Sequence, residues 1–284
     1  MRTATITFFN LGTLLLAILL GQNWNTNATF DQQIQDEVLA ETRAVAYNHK
    51  AVSEETSLEE LGITLHPGTE YKPESNGSPR SLSHCKSLVY RTLKSLPEEP
   101  VKKLKHLTLY FSESGRRGLG GGNTIILRCQ NVTDEELAAV LVHEMGHIMD
   151  TGVMEGSWTA GESQFVDGSK PIYKNDPSLG FYTLSFKNDT EVKWSATKYD
   201  FVSGYAMTDP FEDFAESYAY YILHGKEFRE LAQDNDILER KYNYLKTRVF
   251  KGKEYESGEE NVDEKVRHFD VTVLPYNMKE FFIL

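Results

Sequence analysis

His143-Glu144-Met145-Gly146-His147 sets two imidazoles one helical turn apart with a carboxylate between them. On a helix, positions i and i+4 share a face, so both rings can reach one zinc ion while Glu144 is left to act on a water beside it. The flanking residues predict such a helix. Thr133 reads as its N-cap, Glu136 three residues on completes a capping box, and Asp134 and Glu135 suit the positive end of the helix dipole. Leu137, Leu141, Met145 and Ile148 form an apolar stripe, with His143 and His147 on a neighbouring face. Gly146 costs about 1 kcal/mol of helix propensity relative to Ala, which a close backbone approach would justify.

A catalytic zinc takes three protein ligands and keeps a position open. One common continuation is HExxHxxGxxH, and this chain departs from it: Asp150 stands in the glycine position and Val153 in that of the third histidine. The other common source is a glutamate on a separate helix. A helix starting at Asp209-Pro210 and running to about His224 carries Glu212-Asp213-Phe214-Ala215-Glu216, with Glu212 and Glu216 on one face. Asp213 is the competing ligand, turned about 100° away. Asp150 either orients a histidine or ends its helix, and His224 is an alternative hydrogen-bond donor to a transition state.

HEMGH, Tyr205 and then EDFAE resemble the glutamate-zincin metallopeptidases, in particular their lethal-factor-like branch, whose pattern is HEFGH, a later tyrosine and EFFAE. The resemblance covers roughly residues 81–250 and is sharp over 143–150 and 205–218. It implies an α+β fold: a zincin-like domain with a small mixed sheet, the HExxH helix and a helical C-terminal subdomain. It also implies one zinc per chain held by His143, His147 and Glu212, with Glu144 as general base. Glu216 would support a liganding histidine and Tyr205 would assist catalysis. The segment between the two motifs is longer than in the toxin, so substrate-contacting loops do not carry over. The rival reading is a catalytically inactive zincin-fold binding module at the cell surface, since fold does not fix function.

Across the 284 residues, 40% are hydrophobic and 25% charged, a globular composition. A net charge of -12 argues against a nucleic-acid partner, which needs an excess of Lys and Arg. A peptide or protein substrate is expected instead; oligomeric state is not legible. Arg2 precedes an apolar run over 8–20, so residues 1–28 read as a signal peptide or as an N-terminal anchor held through 7–21. Either places the protein outside the cytoplasm. Cys85 and Cys129 are the only cysteines, and they either pair in an oxidising compartment or stay as two buried thiols.

Residues 29–80 read as a polar segment, with a short helix over 31–46 and linker chemistry over 52–80, and the compact domain as 81–284. Within it the pattern predicts an amphipathic helix over 81–96, a strand over 106–112 and a mobile glycine-rich flap over 115–122. A strand over 123–128 follows, and it resembles the edge strand along which zincins align an extended substrate. A loop-rich insertion with short strands follows over 151–200, then helices around 228–250, an acidic stretch over 254–264 and a strand over 270–274.

Overall fold

The computed structural model describes residues 55–68, 81–258 and 267–283. The readings made for 1–28 and 31–46, and most of the acidic stretch, lie outside these residues.

The chain is α+β with a small mixed sheet. Its strands are β1 (Thr64–Pro67), β2 (His106–Tyr110), β3 (Gly118–Gly121) and β4 (Thr124–Arg128), in the order β1-β2-β4-β3. β1, β2 and β4 run parallel, with Thr64 opposite His106 and His106 opposite Thr124, whereas β3 pairs antiparallel with β4. The parallel step from β1 to β2 is made by helices, as a crossover requires. These are α2 (Leu82–Lys94) and α3 (Glu98–Lys103); the short α1 (Glu55–Glu60) precedes β1.

Two sequence expectations change here. The stretch read as linker supplies α1 and β1, and it buries Leu58 and Ile63; its polar composition hides those two anchors and one run of pairing. The glycine-rich flap contains β3, and β3, not the 123–128 strand, is the sheet edge. Backbone pairing to β4 overrides the low strand propensity of Gly-Leu-Gly-Gly.

The motif helix, α4 (Asp134–Ile148), packs on β3, β4 and α2 and buries residues on every side, including His143 and Glu144. Thr133 caps it, its Oγ1 accepting from Glu136 N at 3.1 Å. The reciprocal half of the expected capping box is absent, because the Glu136 carboxylate accepts from Arg117 instead. Past Ile148 the helix widens into a π turn (Met149–Val153).

The insertion after it holds β5 (Glu162–Asp167), β6 (Lys170–Tyr173) and α5 (Leu179–Ser185). The aromatic run at 181–186 lies mainly in this helix: Phe181, Tyr182 and Leu184 turn inward, and Phe181 meets Phe214 edge-on at 5.1 Å between ring centroids. Then come α6 (Pro210–Leu223), α7 (Gly225–Gln233) and α8 (Asp236–Tyr244), capped by Asp209 and Asn235 at α6 and α8. The 270–274 segment forms a 3-10 turn (Val271–Val273) capped by Asp270 and not a strand, since it has no strand partner among the described residues, and α9 (Met278–Phe281) follows it.

α6 crosses α4 at Gly146, where a Cβ would stand 2.9 Å from Ala215 Cα. That close approach accounts for a glycine in mid-helix. Cys85 in α2 and Cys129 after β4 form a disulfide with a Cα–Cα distance of 6.2 Å. No described helix is long and apolar enough to cross a membrane.

Candidate metal centre

Because α4 and α6 cross so closely, their polar side chains converge on one spot. His143 Nε2 lies 3.2 Å and His147 Nε2 3.4 Å from the same oxygen, Glu212 Oε2. Glu144 is there too, with ligand atoms of His143, Glu144 and His147 all within 4.8 Å of one another. Of the two carboxylates, Glu212 suits the third ligand position, since its one oxygen faces both imidazole nitrogens.

The donor set fits zinc. Nitrogen and oxygen ligands at about 2.0–2.1 Å in a tetrahedron stand about 3.3 Å from one another, and the two observed separations bracket that value. Glu212 Oε2 is also buried and, among the described residues, makes no hydrogen bond beyond its ion pairs with these two imidazoles. A buried, unsatisfied carboxylate oxygen costs free energy unless a cation or donor meets it.

Electrostatics follow from the same geometry. Burial alone would raise the Glu212 carboxyl, but the imidazoles of His147 and His143 hold it far below the usual range. Burial would depress His147, yet Glu212 lifts it to about 9, and Glu212 with Glu216 holds His143 well above its ordinary value. Glu144 is raised, chiefly by burial.

His143 is aimed from behind. Its Nδ1 meets Glu216 Oε1 at 2.9 Å, and Glu216 is fully buried. The other oxygen of Glu216 accepts from Ser203 Oγ at 2.6 Å and from the Val271 backbone N–H at 2.9 Å. Tyr205 stacks on His143 with ring centroids 6.1 Å apart and donates from its hydroxyl to Glu212 Oε1 at 3.0 Å. Burial, with Glu212 beside it, raises the Tyr205 phenol far above its normal value.

The remaining readings separate cleanly. Asp150 is buried in the π turn and accepts from Tyr182 Oη at 2.6 Å rather than from an imidazole. Asp213, the competing ligand, points to the fully buried Lys241, whose Nζ lies 2.6 Å from Asp213 Oδ2 and donates to Asp200 O at 2.8 Å. His224 caps the far end of α6, roughly 18 Å along the axis from Glu212 at 1.5 Å per residue, and pairs with Glu227 at 2.8 Å.

Sequence reasoning missed Ser203, Val271, Gly118 and Gly120. Gly118 and Gly120 of β3 face Glu144: a Cβ at Gly118 would fall 2.2 Å from Glu144 Oε1, and one at Gly120 2.8 Å from the Glu144 carbonyl oxygen. The only signal for these two was the density of glycines just before the motif helix.

Residues 136–269 match a family described as "Putative zinc-binding metallo-peptidase". The match supports a metallopeptidase. Its span takes in both histidines, Tyr205, Glu212 and Glu216, all from the geometry above. No curated protein and no solved structure matches the chain significantly.

Proposed function

We propose that the chain is an exported zinc-dependent endopeptidase of the glutamate-zincin type, with one metal per chain held by His143, His147 and Glu212. The observation that carries this reading is the placement of Glu212 Oε2 between two imidazole nitrogens, at 3.2 and 3.4 Å. When bound, zinc supplies a Lewis acid that makes water nucleophilic at neutral pH and polarises a scissile carbonyl.

The chain's own residues supply the rest. Glu144 takes the proton of the attacking water and returns it to the leaving amine; a carboxyl raised by burial is closer to the pKa such a shuttle needs. Glu216 accepts from His143 Nδ1, so it fixes the tautomer that leaves Nε2 free to ligate. Tyr205, whose hydroxyl donates to Glu212 Oε1, would turn that O–H to a developing oxyanion when substrate is bound. Among the described strands β3 is an outer one and lies directly over Glu144, so an extended peptide or protein substrate can pair along it. Export is supported by the apolar run over 8–20 and by the paired cysteines, which persist in oxidising compartments. The excess of acidic residues fits a peptide partner better than a nucleic acid.

The test is a mixed peptide library incubated with the purified chain, with and without chelator. Glu144→Gln should keep about one zinc per chain while hydrolysis falls by at least ~10²-fold. Glu212→Ala should lose metal affinity. Chelator-insensitive cleavage, or wild-type zinc affinity in the Glu212 variant, sinks the assignment. Zinc uptake with no cleavage by the wild type points to the inactive binding module.

A further inference from the structure

We infer that Arg117 is a positioning residue for the metal centre, acting through the C-terminal segment 267–276 on the carboxylate that aims His143. The inference rests on His143 being a metal ligand.

That segment passes the site and touches it by main chain. Gly204 N donates to His268 O at 2.8 Å and Tyr205 N to Phe269 O at 2.6 Å, which holds the turn bearing Tyr205. Two residues on, Val271 N donates to Glu216 Oε2 at 2.9 Å. Glu216 therefore has three partners, and one of them is a backbone amide from a segment outside both motif helices.

Apolar packing holds this stretch at Val271 and Tyr276, which are buried in the core, and at Leu274 against it, but Phe269 is 69% and Val273 58% exposed, and among the described residues no strand pairs with it. Arg117 supplies the polar anchor at the residues flanking Val271. Its Nη1 donates to Thr272 Oγ1 at 2.8 Å and to Glu136 Oε1 at 2.9 Å, while Nη2 donates to Asp270. Asp270 in turn accepts from Thr272 N at 2.8 Å and Thr272 Oγ1 at 2.6 Å, which shapes the turn presenting the Val271 amide.

Arg117 thus binds the residues on either side of Val271 and the first turn of α4 with one guanidinium. Its planar fork of donors makes that three-way bond, which an ammonium cannot reproduce. Arg117 also immediately precedes Gly118, so the same anchor fixes β3 against Glu144. Outer partners of a liganding histidine typically govern 10–100-fold in metal affinity.

The experiment measures zinc affinity by chelator competition and the visible spectrum of the cobalt-substituted full chain, in wild type, Arg117→Ala, Arg117→Lys and Asp270→Asn. Arg229→Ala, which breaks a different Arg–Glu pair, is the control. Circular dichroism melts of the metal-free proteins select variants that remain folded; Asp270→Asn, close in shape, serves if Arg117→Ala does not fold. We expect about tenfold weaker zinc and altered cobalt bands in Arg117→Ala and Asp270→Asn, partial recovery in Arg117→Lys, and no change in the control. Folded variants with wild-type zinc affinity and cobalt spectrum overturn the inference, as does a wild type that takes up no zinc. A wild type that binds zinc without cleaving peptides defeats the peptidase reading alone.

Discussion

Gly118 and Glu144 set a tight constraint at the scale of single residues, because the space a Cβ would need is already filled by the Glu144 carboxylate. Adding that methyl requires the carboxylate to swing away or β3 to lift. Glu144 makes no covalent demand on its rotamer, so the side chain is the part that yields. Gly118→Ala should therefore keep zinc while peptide turnover drops at least tenfold, read by metal analysis and peptide cleavage on the same sample. Full turnover in a folded variant would show that the base tolerates displacement. Other single residues were readable without coordinates. The i, i+4 spacing of His143 and His147, and of Glu212 and Glu216, follows from helix geometry alone. Ser203 and Val271 were not readable, because a serine among many and a backbone amide carry no mark in a sequence.

Among the elements, the π turn after α4 is tied to α5 by the Tyr182 hydroxyl on Asp150. Burial pushes the Asp150 carboxyl up to about 7 from its ordinary 3.8, despite the hydrogen bond from Tyr182. Between those two values the native chain keeps a proton that the unfolded chain has lost. Stability from this group is thus present at the acid end of that window and falls as pH rises through it. Asp150→Asn removes the titration, so in metal-free protein the melting temperature of the variant should gain on the wild type from pH 5 to 8. A constant difference across that range would contradict it. The caps at Thr133, Asp209 and Asn235 show how local chemistry ends and starts these helices: each side chain accepts from backbone N–H groups of the first turn. Two of the three starts, at Thr133 and Asp209, were legible for that reason. β3 and α5 were not, since Gly-Leu-Gly-Gly acquires its extended form only from β4, and the run at 181–186 becomes helical by packing under α6.

For the whole molecule, the disulfide joins α2 to the end of β4 just before the motif helix, across a sequence separation of 44. Closing a loop of that length removes unfolded-state entropy worth about 4 kcal/mol. Replacing both cysteines with serine should lower the denaturant midpoint accordingly, with the slope of unfolding rising as the unlinked denatured chain expands; an unshifted midpoint would show that the link carries no stability. Spacing could not decide whether these thiols pair, because pairing depends on where two distant elements bring their Cβ atoms. The sequence by itself determined the helix carrying the histidines, the second helix carrying the glutamates, and the acidic balance, since these rest on periodicity, caps and charge within a few residues. Only the tertiary structure decided that Glu212 rather than Asp213 meets the imidazoles, that β3 is the edge over Glu144, and that residues near 270 hold Glu216. Those outcomes depend on the angle at which α6 crosses α4 at Gly146 and on contacts between segments far apart in the chain, which no local pattern encodes.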